Sequence, residues 1–384
     1  MRVVILSNDK PSFQKPMADG LARILQNNSV TTKVLYEGLD SLEFPYLSFR
    51  SRLISFTKRL LKRLFNSNKL LFINRSIGIE KLIKRIKDFD AVIVIAHFPS
   101  TMAKRNLVGL EIIRERTTVP IINYDLVFVN NADGWFKKIK EEDRFGGFTG
   151  LERFDYYLVA SDNCEIPVNP IADFPYLKIG LDLRSRYLRT HKQEFNVLLD
   201  FPRIGFESYR ILQKEVLDEL SIPYRELKGT YSPSDIRKIY SSSSAFFLSF
   251  RETFGLPIVE LQLCGAKIFL PYSHWAPSHY LKKNDEPGVG KLGSNFIVYG
   301  NDRNKLKSEL LNLRTSFNSR ENLFLFNTEY PDFEKCNIEG VKKFISLLES
   351  GQINASSHKN YSVITDNLIY ELPQNLPESF RSSC

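Results

Sequence analysis

Long apolar runs are missing from this sequence of 384 residues. The longest ones, "AVIVIA" and "AFFL", are much shorter than the roughly 18 apolar residues that a membrane-spanning helix needs. The opening "MRVVILSNDK" has too short an apolar run for the core of a signal peptide, and it is typical of a buried first strand. We therefore expect a cytoplasmic protein.

Cysteine is also scarce. The sequence has neither the paired spacing of a disulfide framework nor the spacing of a zinc site, because its cysteines lie far apart, at Cys164, Cys264, Cys336 and Cys384. An Asp-x-Asp pair placed to serve as a metal clamp is missing too. These absences indicate reduced thiols and argue against a metal site.

The composition is that of a folded protein, with 43% hydrophobic and 25% charged residues. A chain of 384 residues exceeds the size at which one hydrophobic core keeps growing, so two domains are expected. Short runs such as "RVVIL", "DAVIVIA" and "FNVLLD" alternate with amphipathic segments in both halves. This pattern predicts an α/β fold of two doubly wound domains, each a parallel sheet with helices on both faces.

A polar, basic stretch around residues 179–195 separates the two halves and is interpreted as the linker. We predict an N-terminal domain over residues 1–182 and a C-terminal domain over residues 183–350. The Ser-, Asn- and Pro-rich residues 351–384 are predicted to be a polar tail that packs back loosely or is disordered. Ligands of such sheets bind at the carboxyl ends of the strands, so the cleft between the domains is the expected site.

One wall of that cleft should come from "SFRETFGLPIVELQLCGAKIFLP", residues 249–271. The stretch begins at the end of a buried strand, and Pro257 suits the first turn of the helix that follows. Backbone N–H groups near Gly255 and Leu256 would point into the cleft with the helix dipole behind them, which favours phosphate. Glycine also lets a diphosphate approach the backbone closely. The turn therefore predicts a diphosphate site.

Two glutamates flank this turn. Glu260, about one turn into the helix, is placed to accept hydrogen bonds from the hydroxyls of a ribose. Glu252, before the helix, is placed to accept hydrogen bonds from the hydroxyls of a second sugar. The two acids would then bracket a nucleotide-sugar. The alternative is that both are solvated surface acids on either side of a buried turn.

The stretch "RETFGLPIVELQLCG" resembles the donor-site signature of retaining glycosyltransferases with the two-domain GT-B fold, especially those of glycosyltransferase family 4. Thr253 stands where that signature usually has its first glycine. Neighbouring segments resemble the family in order and spacing, so the resemblance covers residues 175–315. It implies two Rossmann-like domains that face each other across a cleft.

The resemblance also implies roles for single residues. Glu252 would be a catalytic residue that grips the donor sugar, and Glu260 would bind the ribose. The donor diphosphate would lie against Arg203, Thr253, Phe254, Gly255 and Leu256. The donor would be a UDP-sugar or a GDP-sugar, and the resemblance implies no metal and no cofactor. Transfer would need no protein nucleophile, because the acceptor attacks on the face from which the diphosphate departs.

The first domain resembles the family less closely. "DAVIVIAHFPS" and "VPIINYDLVF" are similar to two family strands that end at the cleft, which makes His97 and Asp125 candidate catalytic residues for orienting the acceptor or the transferred sugar. Tyr124 occupies a position where histidine is usual. The loop "SNDKPSFQKPMADG" lacks the family's paired glycines, so Asn8 or Lys10 would replace that phosphate contact. The alternative for both candidates is a packed, hydrogen-bonded residue.

Residues 50–87 contain twelve Lys or Arg and one acid. A helix with an apolar stripe and a basic face can lie on an anionic membrane, so this segment predicts a peripheral protein at the inner face of the membrane and a lipid-linked glycan acceptor. The alternative is a soluble amphipathic helix that packs on the sheet. No nucleic-acid-binding module is recognisable, so nucleic acid is not the expected partner.

Together these features predict a retaining glycosyltransferase that moves a sugar from a nucleoside-diphosphate donor to a glycan acceptor, such as a lipid-linked precursor of a surface polysaccharide or lipopolysaccharide. Three alternatives stay open: an epimerase or hydrolase with the same fold and nucleotide site, a nucleotide-sugar-binding protein that has lost catalysis, and a DNA-modifying glycosyltransferase. Trp275 and His279, in the insertion-like residues 272–291, are further candidates for a sugar contact.

Overall fold

The computed structural model of the protein describes residues 1–7, 13–36, 81–95, 113–127, 154–161, 163, 176–190, 194–282 and 290–357. Several predictions fall outside these ranges. They concern Asn8, Lys10, His97 and most of the basic segment 50–87.

The first domain contains a sheet of six strands in the order β2-β1-β3-β4-β5-β6, and every neighbouring pair is parallel. All side chains of β3 are buried, as are those of β1 after its first residue. Parallel strands that are covered on both faces need apolar residues pointing both ways, which is why continuous β-branched runs form them. The strands are β1 (Arg2–Leu6), β2 (Thr31–Leu35), β3 (Ala91–Ile95), β4 (Ile121–Val127), β5 (Tyr156–Ser161) and β6 (Tyr176–Lys178).

Helix α1 (Gln14–Asn27) connects β1 to β2, and residues 81–86 and 113–116 are helical before β3 and β4. The apolar face of α1 is buried against the sheet. Gly20 on this helix allows a close approach, because a Cβ there would lie 2.2 Å from the backbone oxygen of Asp182. The first helix therefore packs directly on the chain that leads into the second domain.

The second domain contains a five-stranded parallel sheet in the order β11-β10-β9-β7-β8. Its strands are β7 (Val197–Leu199), β8 (Tyr224–Glu226), β9 (Ala245–Phe247), β10 (Lys267–Leu270) and β11 (Phe296–Val298). Its helices are α2 (Glu207–Glu219), α3 (Pro233–Ser241), α4 (Leu256–Leu263), α5 (Arg303–Ser316) and α6 (Ser319–Glu329), and a last helix, α7 (Ile338–Glu349), follows.

Both sheets have the same winding. The chain runs outward from the first strand of each sheet to the second, and then returns to the other side of the first strand. The winding therefore reverses between β1 and β3 in the first sheet and between β7 and β9 in the second. In sheets of this kind, ligands bind outside the carboxyl ends of the two strands at that reversal.

The connection between the sheets is held tightly to both domains. Gly180 has a φ of +70°, and a Cβ there would lie 2.1 Å from the backbone oxygen of Asp332. Asp182 is 2% exposed and forms ion pairs with Arg23 of α1 and with Arg184. These cations lower the pKa of the Asp182 carboxyl, although its burial acts in the opposite direction.

The chain crosses back to the first domain near its described end. Leu181 N–H donates to Asp332 O over 2.8 Å, and Asn337 N–H donates to Ile179 O over 2.9 Å. Helix α7 then packs against β6 of the first sheet. The predicted division assigned this helix to the second domain, but its contacts are with the first.

The beginning of the predicted tail also lies against the first domain, since Arg114 donates to Ala355 O over 3.3 Å. Among the helices that the structure describes, none is long and apolar enough to cross a membrane. One apolar cluster includes residues of both sheets, among them Tyr124 of β4 and Phe246 of β9. The prediction of an α/β fold with two doubly wound domains is confirmed.

Candidate functional site

The carboxyl ends of β7 and β9 bring together two loops of the second domain, residues 200–206 and 248–255. The strands pair in register, with Leu199 beside Phe247, and Asp200 N–H donates to Phe247 O over 3.1 Å. Arg210 of α2 donates to the backbone oxygen of Asp200 and to Ser249 Oγ, and so ties the two loops to each other. The two loops are therefore held together at the place where the winding reverses.

Helix α4 begins at this point. Gly255 precedes it with a φ of +62°, and Pro257 occupies its first turn. No side chain caps the first N–H groups of the helix. An added Cβ at position 255 would lie 2.7 Å from Glu252 Cγ, so both the backbone conformation and the available space require glycine here. An uncapped helix start behind a glycine turn favours an anion.

Glu252 lies in the loop just before this helix start. It keeps some contact with solvent, but enough protein surrounds it for burial to raise the pKa of its carboxyl group. Arg203 and the Thr253 N–H, which donates to the carboxylate, act against that rise. The backbone N–H of Glu252 donates to Trp275 O over 2.9 Å. The Glu252 carboxylate is thus held in this loop by the Thr253 N–H and lies within the influence of the Arg203 charge.

Arg203 is exposed in the loop after β7. Its guanidinium carbon lies 4.5 Å from the centre of the Phe250 ring, a cation–π contact that holds the cation beside the loop after β9. Arg203 also stabilises the charged forms of Asp200 and Glu252. The structure therefore brings together the predicted Arg203, Glu252 and Gly255.

Glu260 is only 6% exposed and lies inside the domain rather than on its surface. Arg237 of α3 donates to Glu260 Oε1 from Nε over 2.9 Å and from Nη2 over 2.6 Å. Burial raises the pKa of the Glu260 carboxyl, and Arg237 opposes this effect. Neither Glu252 nor Glu260 is a solvated surface acid, so that alternative interpretation is wrong.

Sequence reasoning missed Arg237. It lies in the segment "SPSDIRKIYSSS", which forms α3 and its flanking residues. Its partner is 23 residues away along the chain, and which of several nearby cations would meet Glu260 depends on how α3 packs on α4. No local signal in the sequence distinguishes Arg237 from its neighbour Lys238.

Asp200 was missed as well. It follows β7 directly and is 5% exposed. Its carboxylate accepts hydrogen bonds from Phe201 N–H over 2.7 Å and from the backbone of Ser249. Burial, reinforced by the charge of Glu252, raises the pKa of Asp200 to about 7. An acid that follows an apolar strand immediately, as in "NVLLD", was the available signal.

Replacing Asp200 by asparagine should flatten the pH dependence of stability. Because the pKa of Asp200 is about 7 in the folded protein, above its unfolded value, the folded state binds more protons and the free energy of unfolding falls as pH rises towards 7. One such group contributes a slope of at most about 1.4 kcal/mol per pH unit. Denaturant unfolding at several pH values between 4 and 8 measures it.

The matched control for this substitution is Asp302→Asn, at the exposed cap of α5, where asparagine can also accept the capping bonds. We expect Asp302→Asn to leave the slope unchanged. Equal slopes in Asp200→Asn and the unsubstituted protein would contradict the assigned burial of Asp200.

In the first domain, Asp125 is completely buried on β4. Its Oδ1 accepts a hydrogen bond from Leu126 N–H over 2.6 Å, and burial raises its pKa to about 7. Tyr124, at the position where the resemblance has histidine, donates from its hydroxyl to Gly180 O over 2.7 Å and so supports the connection between the domains. The predicted catalytic role of Asp125 stays a prediction, as does that of His97, which lies outside the described residues.

An aromatic group packs against the loop that follows β7. Trp275 is 3% exposed and packs against Phe206 and Tyr209, with ring centres 5.6 and 4.9 Å apart. His279 is completely buried. Neither of these candidate sugar contacts is open to a ligand in this arrangement, whereas Tyr272, stacked on His274 at 5.4 Å, is only partly buried.

Two other predictions concern metals and the basic segment. In the described part of the chain, no group of three or more metal-ligating side chains could hold an ion. Of the segment 50–87, only residues 81–87 are described, and there Leu82, Ile83 and Ile86 are buried while the lysines are exposed. That short piece packs on the domain, and the membrane contact of the remainder stays a prediction.

Comparisons with solved structures place this fold among known ones. An α-glucosyltransferase in complex with UDP-glucose and DNA containing an abasic site matches with a TM-score of 0.55 and 12% identity, over 91% of this chain and 99% of that one. An α-glucosyltransferase in complex with UDP matches with a TM-score of 0.51 and 10% identity, over 91% and 100% of the two chains. A UDP-GlcNAc 2-epimerase from Neisseria meningitidis bound to UDP-GlcNAc has a TM-score of 0.48 and 9% identity, over 91% and 100%.

No family model matches the sequence, and no curated protein matches it either. At 12% identity, the likeness to the α-glucosyltransferase shows a shared fold. The protein therefore has the predicted GT-B architecture, and the narrower assignment to glycosyltransferase family 4 stays a prediction.

Proposed function

We propose that the protein is a glycosyltransferase that moves a sugar from a nucleoside-diphosphate donor to an acceptor hydroxyl. The observation that carries this proposal is the pair of loops at the reversal of the second sheet, where an uncapped helix start, Arg203 and the half-buried Glu252 meet at the glycine turn. The shared fold with an α-glucosyltransferase that binds UDP-glucose supports the same conclusion.

The donor would lie across the start of α4. Its diphosphate would lie against Thr253, Phe254, Gly255 and Leu256 and accept hydrogen bonds from the backbone N–H groups of Gly255 and Leu256, since the Thr253 N–H already donates to Glu252. Arg203, which is exposed, would neutralise charge on the leaving phosphate. The ribose would reach Glu260, whose Oε1 is already fixed by Arg237. Glu252, on the other side of the turn, would accept hydrogen bonds from the transferred sugar.

Transfer would proceed with retention of configuration and without a protein nucleophile. The bond from the anomeric carbon to the diphosphate oxygen breaks, the acceptor oxygen forms a bond to that carbon on the same face, and the acceptor proton goes to the departing diphosphate. The protein contributes by positioning the two substrates and by stabilising the negative charge that grows on the diphosphate. In enzymes of other kinds, one such backbone or side-chain donor changes the rate by about 10²–10³-fold.

For the acceptor we propose a glycan on a lipid carrier, with the protein at the inner face of the membrane. The support is the charge of segment 50–87, which contains twelve basic residues and one acidic residue. Association with vesicles that contain anionic lipid, and loss of that association when the lysines and arginines of residues 58–63 are replaced by glutamine, would test this step.

A second candidate acceptor is DNA. The α-glucosyltransferase that shares this fold along 91% of the chain is in complex with DNA in its solved structure, and this protein has a net charge of +9. DNA binding by Lys and Arg weakens steeply with salt, because bound counterions are released. Transfer of labelled sugar to DNA and not to lipid-linked glycans would favour this candidate.

A panel of nucleotide-sugars tests the proposed activity as a whole. We expect one UDP-sugar or GDP-sugar to raise the melting temperature, since a ligand that binds only the folded state stabilises it, and to release its nucleoside diphosphate when an acceptor is added. An altered sugar without any acceptor would indicate an epimerase or hydrolase. Binding with no transfer to any acceptor would indicate a protein that has lost catalysis.

Replacing Gly255 by alanine should weaken binding of the nucleoside diphosphate at least about tenfold, equivalent to about 1.4 kcal/mol. The added methyl group would meet Glu252 Cγ at 2.7 Å and push the turn out of shape. Titration calorimetry measures the affinity. Gly351→Ala is the matched control, because Gly351 has a similar φ of +71° but nothing within 4 Å of an added Cβ. Equal affinities in both variants would contradict a role for the turn in anion binding.

A further inference from the structure

We propose that His279 is a positioning residue that aims the backbone N–H of Gly255 at the donor diphosphate. The inference rests on the proposed function to the extent that the turn binds a diphosphate. It assigns to His279 an effect on anion binding through the backbone, in place of the direct sugar contact that the sequence suggested.

The central contact is a hydrogen bond between two buried groups. His279 Nε2 lies 2.6 Å from the backbone oxygen of Phe254. A carbonyl oxygen can only accept, so Nε2 bears the hydrogen and the ring is the Nε2–H tautomer when neutral. The opposite nitrogen, Nδ1, is buried without a hydrogen-bond partner.

The surroundings keep the histidine neutral. Its ring is enclosed by the rings of Phe254, Phe296, Tyr330 and Phe333, with ring centres 5.2 to 5.9 Å away. Burial in this apolar group lowers the pKa of His279 to about 4. The hydrogen bond to Phe254 O therefore has one fixed direction at neutral pH.

Because the peptide unit is planar, this hydrogen bond also fixes the direction of the Gly255 N–H. The carbonyl of Phe254 and the N–H of Gly255 belong to one peptide unit, and in a trans peptide they point in opposite directions. No cis peptide bond occurs in the described residues. Because Phe254 O points to a histidine that is completely buried, the N–H of Gly255, itself a buried residue, points in the opposite direction, at the start of α4.

The segment around His279 holds the neighbouring peptide units of the turn in the same way. Ser278 N–H donates to Thr253 O over 3.1 Å, and Glu252 N–H donates to Trp275 O over 2.9 Å. Tyr330 anchors the segment from the other side, since its hydroxyl donates to His279 O over 2.6 Å. The turn is therefore shaped by residues 275–279.

The same segment is attached to the first domain. Ser161 Oγ, at the carboxyl end of β5, donates to Ser278 O over 3.0 Å, and Asn163 Nδ2 donates to Tyr280 O over 2.5 Å. Ser278 Oγ in turn donates to Asn163 O over 3.0 Å. Since both domains hold this segment, the orientation of the turn depends on the docked arrangement of the two domains.

Two amide substitutions separate positioning from packing. In His279→Gln the amide nitrogen reaches about as far as Nε2 and can still donate to Phe254 O, whereas in His279→Asn it falls short. Both variants introduce the same polar group into the same aromatic surroundings. We expect His279→Asn to bind UDP or GDP about tenfold more weakly, and His279→Gln to keep most of the affinity.

The readout must distinguish the diphosphate from the rest of the ligand. Affinity for the nucleoside without phosphates should be equal in both variants and in the unsubstituted protein, because only the contact with Gly255 N–H is lost. A tenfold loss for nucleoside and nucleoside diphosphate alike would overturn the proposal, as would equal UDP affinities in folded His279→Asn and His279→Gln. Failure of both variants to fold would overturn it too, since the histidine would then serve the fold itself.

Inorganic pyrophosphate separates this inference from the proposed function. In NMR spectra, pyrophosphate should shift the Gly255 amide resonance in the unsubstituted protein and in His279→Gln, but not in His279→Asn. If pyrophosphate gives this pattern of shifts but no nucleoside diphosphate binds, the proposed function is overturned and the positioning role of His279 is kept. Absence of the shift in the unsubstituted protein would overturn the positioning role.

Discussion

Replacing Arg237 by alanine is expected to destabilise the protein by about 3–5 kcal/mol, which is the usual cost of leaving one charge of a buried ion pair without its partner. The side chain of Arg237 is 16% exposed and that of Glu260 8%, so solvent replaces little of the lost interaction. For a protein of this size the change should lower the melting temperature by about 5 °C. Calorimetry or denaturant unfolding measures it.

The pH dependence of this loss has a definite sign. Burial already raises the pKa of Glu260, and removing Arg237 takes away the group that opposes the rise. A carboxyl group whose folded pKa lies above its unfolded value holds its proton more tightly in the folded state, so its stabilising contribution is present in acid and lost as pH rises. The gap between the variant and the unsubstituted protein should therefore be widest at alkaline pH and should narrow in acid.

The neighbouring Lys238→Ala is the matched control on the same helix. Lys238 pairs with Asp235 in the open, with side chains 62% and 59% exposed, so water screens this pair and its loss should change stability little. Similar melting temperatures for Arg237→Ala and Lys238→Ala would show that Glu260 does not depend on its partner. The double variant Arg237→Ala, Glu260→Ala should recover part of the loss, because no unpaired charge remains.

Replacing Glu252 by glutamine is expected to slow sugar transfer about 100-fold while the affinity for the nucleoside diphosphate stays nearly unchanged. A hydrogen bond to a charged group contributes about 1.5–3 kcal/mol, and the neutral amide would lose most of that from the transferred sugar. Steady-state kinetics with a fixed acceptor, together with calorimetry on the nucleoside diphosphate, separates the two effects.

Stability gives an independent readout for Glu252→Gln. Since burial raises the pKa of Glu252, ionising this side chain costs free energy in the folded state, and the amide removes that cost. We expect a melting temperature equal to or above that of the unsubstituted protein, a combination typical of residues retained for function. Glu207→Gln is the control, because Glu207 is an exposed glutamate at the start of α2 that accepts a hydrogen bond from the Gly205 N–H. A transfer rate of Glu252→Gln within about threefold of that of Glu207→Gln would contradict the catalytic role of Glu252.

Much of the fold was predictable because its signals are local. The continuous apolar runs "RVVIL" and "AVIVI" became buried central strands, and Gly255 followed by Leu256 and Pro257 became the start of α4. A backbone at φ of +62° favours glycine whatever surrounds it, and Pro at the first turn suits any helix. The position of the glycine turn could therefore be predicted before any tertiary contact was known.

The partners of the site residues could not be predicted in the same way. Arg237 meets Glu260 across 23 residues of chain, and His279 meets Phe254 across 25. Asp200 approaches Glu252 only because β7 and β9 are adjacent in the sheet. The return of α7 to the first domain, which the predicted division did not include, is set by the contact of Asn337 with Ile179.

By itself, the sequence determined two doubly wound domains and a glycine turn that starts a helix, because strand burial, turn conformation and helix start depend on residues that are adjacent along the chain. Only the tertiary structure decided which charge neutralises Glu260, that Asp200 is buried with a pKa of about 7, and that a histidine of the second domain orients the turn. Pairings of this kind depend on which elements pack together, and a buried polar group is stable only beside the partner that packing places there.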